Sequence, residues 1–353
     1  MEGIVQLRKF SQIDIKESFF DSLRADYDGF DNWFQSKSEQ TAHVMHNENG
    51  NLDAFLYVKK EVGPVSDVVP ALGLGEWLKI GTMKINPHGT RLGERLIKKS
   101  LDYAIVNGIN QVYVTVFPKH VALVSLFKRY GFIEQSRKQS ERGDELVLTK
   151  QLDRLQNDIL LNYPVIRTRH VDKYMLSIYP EFHTRLFPDS ILNNESYDII
   201  EDVSHTNSIH KVYICSMNVS ALKRGDIIVM YRTKTPNTSA YYTSVATSIC
   251  VVEEIRSRKE FANVAEFIKY CKDYSVFSEE ELKNSYFEQK KHVFVIKMTY
   301  NVAFRKKLNR KRLIEEVGLD SSPSTYWGFF KLSEQEFEQI IIKGEGYESL
   351  IVH

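Results

Sequence analysis

Cysteine is scarce in this chain of 353 residues: Cys215, Cys250 and Cys271 are an odd number without metal-like spacing. That excludes a disulfide framework and a cysteine-built zinc site, and it reads as buried thiols in a reducing compartment. Long apolar runs are missing too. No window reaches the roughly 20 apolar residues of a bilayer-spanning helix, and the opening MEGIVQLRKF lacks the apolar core of a secretory signal. The expected location is the cytoplasm, with no membrane partner. Nor is there an excess of one charge. Lys and Arg number 47 against 46 Asp and Glu, a net charge of +1, which excludes a globally basic glove for nucleic acid but leaves local patches open. What is present is 42% apolar residues and 12% aromatics, ample for real cores, in a length that predicts two domains.

The stretch KINPHGTRLGERLI, Lys84 to Ile97, organises the first domain. Before it, LKIGTMKI (Leu78–Ile85) alternates like a half-buried strand. After it, Leu92, Leu96, Ile97, Leu101, Ala104 and Ile105 fall on one helical face, and Gly108 stands where a C-terminal cap belongs. A helix opening near Thr90 aims free N–H groups and its positive dipole end beyond the strand, a site for an anion such as a diphosphate. Gly89 and Gly93 allow close approach, and Arg91 and Arg95 add charge. The plain alternative is an ordinary strand-to-helix turn. Upstream, VQLRKF reads as a first strand, Ile13–Lys37 as two short helices broken at Asp28-Gly29, and TAHVMHNENGNLDAFLYVKKE as a hairpin about Asn49-Gly50. Downstream come QVYVTVF (Gln111–Phe117), a helix over Val121–Phe132 and a closing strand, Glu145–Leu152.

This succession over residues 1–152 resembles the GNAT acetyltransferases, whose acetyl-CoA loop precedes a helix in the same way. Aligned on Gly93, the loop reads His88-Gly89-Thr90-Arg91-Leu92-Gly93, with His88 at the family's first basic or amide position and Arg91 where a glycine stands. The resemblance implies acetyl-CoA as co-substrate, no metal, and a cofactor site made of Met83, Lys84, Ile85, His88, Gly89, Thr90, Arg91, Leu92, Gly93, Glu94 and Phe127. Met83 to Ile85 would pair with the pantetheine as a strand does, the thioester lying between Ile85 and Val114–Phe117. In the family a tyrosine commonly protonates the leaving thiolate, but here the pair is Leu126-Phe127, which leaves Tyr130, Tyr113 and His120 as candidates. His120 stands where the family often has an asparagine that touches the cofactor. Each of the three also has an ordinary reading, as packing or as a solvated loop residue. With no evident carboxylate near the Lys84 strand, an α-amine or aminoacyl ester is the favoured acceptor, although Glu61 or Glu76 could serve as base. Phe30-Asp31-x-Trp33-Phe34 before the hairpin resembles the branch whose members acetylate aminoacyl-tRNA as toxins, which implies tRNA and a cognate antitoxin as partners. The alternative is that these aromatics only pack the helices.

Residues 153–164, ending Asn162-Tyr163-Pro164, read as a linker. Beyond it lie KYMLSIYPEF, KVYICSM, GDIIVMYRT, AYYTSVATSICVVEEI and KHVFVIKMTYNVAF, with helices at Asn263–Lys272, Glu279–Gln289 and after Ser333. The expected class is therefore α/β: a mixed central sheet first, then a small β-barrel with peripheral helices over 165–353. Leu222–Arg232, with its Gly-Asp-Ile-Ile turn, and Val251–Ile255 resemble the PUA-like superfamily, in particular its ASCH and EVE branches. That resemblance implies an RNA-binding or base-reading module; the signature of the hydrolytic ASCH members is not found near the domain start, so no second active site is predicted. Arg305, Lys306, Lys307, Arg310, Lys311 and Arg312 put six basic residues in eight, suited to phosphate neutralisation, with Arg232 a further phosphate contact and Tyr326 and Trp327 stacking surfaces nearby. Alternatively the run is a solvated helix face balanced by Glu315 and Glu316, and the aromatics are core. Two function classes stand: an acetyltransferase acting on an amine borne by RNA, which the toxin-branch resemblance would make aminoacyl-tRNA, and an acetyl-CoA sensor joined to a nucleic-acid-reading module. A third is a small-amine or protein acetyltransferase with an unrelated accessory domain.

Overall fold

The computed structural model describes residues 5–86, 91–187, 208–322, 324–346 and 350–352. The chain divides into two compact units, Met1–Gln156 and Asn157–His353. Both are of mixed α/β class.

The first unit runs β1 (Gln6–Lys9), α1 (Asp21–Asp26), α2 (Phe30–Gln35), β2 (Thr41–His46), β3 (Leu52–Val62), β4 (Glu76–Ile85), α3 (Leu92–Val106), β5 (Gln111–Val116), α4 (Val121–Arg129), β6 (Ile133–Lys138) and β7 (Glu145–Gln151). Its seven-stranded sheet has the order β1-β2-β3-β4-β5-β7-β6, antiparallel except for β4 beside β5. Gly29, at φ 70°, separates α1 from α2 because a left-handed residue is needed where the second helix starts. Phe30 and Phe34 are buried against Phe10, Phe20 and Phe55, so these aromatics pack the helices onto the sheet. The apolar stripe of α3 is buried along its length, each Leu or Ile contributing about 1.5–3 kcal/mol. Its end is fixed by Gly108 at φ 67°, with N–H donated to the Ile105 carbonyl at 3.0 Å. One strand, β6, was not expected. It is an edge whose residues are mostly exposed, so it carries little alternation.

The second unit runs α5 (Ile159–Asn162), β8 (Ile166–Arg167), β9 (Lys173–Ile178), α6 (Pro180–Leu186), β10 (His210–Cys215), β11 (Ile227–Arg232), α7 (Ala240–Thr243), β12 (Val245–Ser257), α8 (Val264–Cys271), α9 (Glu279–Phe287), β13 (Phe294–Asn309), α10 (Arg310–Arg312), a π turn (Leu313–Val317), β14 (Phe329–Leu332), α11 (Glu334–Lys343) and β15 (Ile351–Val352). The expected closed barrel is not what forms among the described residues. Six strands make an open mixed sheet in the order β10-β13-β12-β11-β9-β14, and its outer strands β10 and β14 do not pair with each other. Two strand readings also shorten. Pro180 opens α6 at its first turn, where its missing N–H costs nothing, and 240–243 turn as α7 before β12 starts. Among the described residues no helix is long and apolar enough to cross a membrane.

Candidate functional site

The first unit's opening begins with one surplus residue in β4. Tyr57 of β3 faces Thr82 and the next residue, Val58, faces Ile80, so Gly81 is a bulge. A Cβ at Gly81 would lie 2.9 Å from a ring carbon of Tyr57, which is why glycine suits it. The pairing of β4 with β5 ends at the same place, at Ile80 opposite Val114. Beyond it Thr82 to Ile85 stay on β3 while Thr115 and Val116 stay on β7, and the two parallel strands part. The edge of β4 that turns from β3 is thus left without a neighbouring strand over Met83, Lys84 and Ile85, an edge to which an extended amide-bearing chain can add.

The helix α3 opens at Leu92, with residues 86–91 between it and Ile85, where this edge ends. Its first flanking residue, Arg91, sits at φ 56°, ψ 22°, the left-handed conformation that glycine adopts freely. His88, Gly89 and Thr90 lie outside the described residues. Leu92 is buried, and the space beside Gly93 is taken by protein: a Cβ there would meet Leu126 Cδ2 at 2.4 Å, so the glycine lets α3 and α4 approach. Glu94 is buried with Arg129 at 3.5 Å, and Arg95 is buried as well. Phe127 is wholly buried against Phe132, ring centroids 5.0 Å apart, and reads as core.

The three acid candidates separate. Tyr113 is wholly buried, and its hydroxyl donates to Glu61, near the end of β3 and opposite the start of β4, the far end from the gap; burial, then Glu61, push it far above the usual phenol range. Glu61 and Glu76, near that end, bond Tyr113 and Lys60 respectively, so neither reaches the gap. Tyr130 is also wholly buried, at the end of α4, and its carbonyl accepts from Lys150 Nζ at 2.8 Å. His120 is different. It flanks the start of α4 just past β5, its N–H donating to the Phe117 carbonyl at 3.0 Å, with a side chain 40% exposed. Its Nε2 lies 2.7 Å from Oδ2 of Asp26, the last residue of α1. Asp26 was not foreseen. Burial would raise this carboxyl, but hydrogen bonds from Lys119 and His120 outweigh burial and hold it below its ordinary 3.8. Around the pair, Lys84 donates to Ser22, Tyr27 donates to Glu145 at 3.2 Å and lies tilted against Phe117 with ring centroids 5.4 Å apart, and Arg142 binds Asp28. Several strands thereby hold α1 beside the gap.

The second unit carries a cavity of about 560 Å³ that is partly open to solvent. Thr233 follows β11, Trp327 precedes β14 and Arg310 begins α10, and all three line it. The Arg310 guanidinium lies 4.2 Å from the Trp327 ring centroid, and the Tyr231 ring lies 5.4 Å from it on another side. Trp327 Nε1 and Thr233 Oγ1 are buried and make no hydrogen bond among the described residues. An unmet buried donor costs about 1–3 kcal/mol, so two of them on one cavity wall suit a ligand with acceptors. Lys234, Lys290 and Glu288 add charge at the cavity.

The basic run does not form one face. Arg305, Lys306 and Lys307 lie on β13; Lys306 is 3.7 Å from Glu345, Lys311 is 3.9 Å from Glu315, and Arg312 grips Glu316 with two bonds of 2.7 and 2.9 Å. Arg310 is the member of the run that lines the cavity. Arg232 is buried on β11; with Lys307 it helps hold His183, itself buried, down to about 3, burial being the larger cause. A surface phosphate contact from Arg232 is therefore not what the structure offers.

No family model matches the chain, and no curated protein matches it. Solved structures do. Naa20 from Chaetomium thermophilum, solved with a bisubstrate analogue, aligns over 42% of this chain and 86% of its own, at 18% identity and a TM-score of 0.32. The spermidine N-acetyltransferase SpeG from Vibrio cholerae covers 42% and 94%, at 15% identity and 0.30. ZmASCH from Zymomonas mobilis covers 48% of this chain and 94% of its own, at 14% identity and 0.33. These values describe a likeness of fold and say nothing about the reaction.

Proposed function

We propose that the first unit transfers the acetyl group of acetyl-CoA to an amine, that the amine is carried on RNA, and that the second unit holds the RNA at its aromatic cavity. The parting of β4 and β5 at Gly81 carries the first part, because it leaves a strand edge that is followed in the chain by a 15-residue helix. Those two features fit an extended amide chain and a diphosphate. Acetyl-CoA supplies an acyl group activated as a thioester. Met83 to Ile85 would hold its amide-bearing arm, and the N–H groups opening α3 would take its phosphates. His120 is the candidate proton carrier, since Tyr113 and Tyr130 are buried away from solvent. An aminoacyl ester on tRNA is the acceptor this reading favours, its α-amine being partly neutral near pH 8; a toxin-like role with a cognate antitoxin would follow.

For the second unit, the support is the cavity wall with Trp327 Nε1 and Thr233 Oγ1 unmet beside the Arg310–Trp327 stack. A nucleobase presents a flat face and acceptors together. One observation favours a second reading: Phe127, at the family's donor position, is core and carries no hydroxyl. An acetyl-CoA sensor coupled to an RNA-reading module would look the same there. Calorimetry of the full chain with acetyl-CoA, followed by radiolabelled acetyl transfer to charged tRNA, separates these. Label in the aminoacyl fraction supports the transferase, binding without label to RNA, protein or small amines supports the sensor, and no binding removes both.

A further inference from the structure

Asp26 is a buried carboxylate with no packing reason to be charged, and both of its oxygens turn toward the residues between β5 and α4: Oδ1 accepts from Lys119 and Oδ2 lies 2.7 Å from His120 Nε2. With the carboxylate ionised, that contact fixes the proton of neutral His120 on Nε2. The other ring nitrogen, Nδ1, is then a lone pair. It does not cap α4, which has no side-chain cap, and it makes no hydrogen bond among the described residues. The imidazole is part-exposed at the end of β5, where β4 has already left. The other charged or titratable groups turned toward Asp26 are Lys119 beside His120, Lys84 on β4, Arg142 between β6 and β7, and Tyr27, itself bonded to Glu145.

We infer that Asp26 is a positioning residue that orients His120 as a two-way proton carrier for acetyl transfer, an inference that rests on the transferase reading above. As the acceptor nitrogen bonds to the acetyl carbon and the carbon–sulfur bond breaks, His120 Nδ1 takes the proton the nitrogen sheds and returns it to the departing sulfur. The products are the amide and the free thiol, and the imidazole ends as it began. Asp26 stays ionised throughout, because the hydrogen bonds from Lys119 and His120 hold its pKa low.

The test uses the full chain, with acetyl-CoA and hydroxylamine as a small acceptor that is neutral at pH 7, thiol release being followed by a dye. Asp26→Asn is expected to lower kcat about 100-fold with KM for acetyl-CoA unchanged. Nitrogen NMR of the His120 ring, without any substrate, is expected to show one fixed tautomer in the native chain and a mixture in Asp26→Asn. Arg142→Gln loosens the same segment without touching the imidazole, and it should slow release less than about threefold. An Asp26→Asn chain that binds acetyl-CoA and turns over like the native one, or that keeps the fixed tautomer, overturns the role of Asp26 alone. Equal slowing in both variants overturns it too, since that would mark a structural part only. A native chain that binds no acetyl-CoA overturns the transferase reading and this inference together.

Discussion

In the first unit the opening is made by main chain, where the bulge at Gly81 sends β4 away from β5; in the second it is made by side chains, where Trp327, Thr233 and Arg310 line a cavity against an intact sheet. An opening of the first kind offers a ligand N–H and C=O groups in strand register, which suits any extended amide and discriminates little. One of the second kind offers a shape and particular donors, which discriminates well but binds little backbone. The difference teaches where each unit is vulnerable. Backbone changes should silence the first, and single-atom changes the second.

The largest effect concerns the ground on which α4 rests. Burial pushes the Lys150 ammonium from 10.5 down to about 7. Between those values the unfolded chain binds more protons than the folded one, so stability rises with pH across that window and the full penalty is present below it. Lys150→Met should therefore gain on the native chain, from the top of that window to its bottom, by on the order of 5 kcal/mol. Urea midpoints measured across the window check this, and a constant difference would break it. Next, Gly81→Val must push aside the Tyr57 ring. It should cost about 2 kcal/mol and most of the acetyl-CoA affinity, while RNA retention on a filter is unchanged. Loss of RNA binding as well would erase the contrast between the units. Trp327→Phe removes the unmet donor together with part of the indole that Arg310 and Tyr231 pack against. On the proposed function RNA affinity should fall about tenfold, with a loss of stability on the order of 1 kcal/mol; that loss with RNA affinity unchanged would mean that the indole serves packing alone. The smallest effect is at Arg91, where Arg91→Gly keeps the left-handed turn at lower strain and should be about 1 kcal/mol more stable in urea than Arg91→Ala, which loses the same side chain.

Periodicity made much of the first unit legible. The hairpin about Asn49-Gly50, the two short helices and the stripe of α3 all follow local rules that tertiary contacts did not override. What escaped notice was set by partners far along the chain. Asp26 meets His120 across 94 residues, and nothing near either announces the other. Trp327 and Thr233 come from different strands' ends, so their shared wall has no signature in sequence. The basic run misled for a different reason: charge composition is visible, but β13 continues through Asn309, whose side chain caps the next turn by accepting from Arg312 N at 3.0 Å, and the run is split between two elements. The barrel expectation rested on strand texture, which does not say whether edges meet.

One surplus residue also changes parity. Side chains alternate along a strand, and residues facing each other across a ladder share a face. Lys79 sits opposite Lys59 and Lys84 opposite Phe55, and positions 55 and 59 are in phase, so Lys79 and Lys84 share a face although an odd number separates them. A strand that kept Gly81 but lost the bulge would therefore do more than straighten: every residue from Thr82 to Ile85 would exchange layers, sending Lys84 inward to the place that Met83 or Ile85 now fills beneath α3, whereas excising Gly81 would leave each opposite the partner it has now.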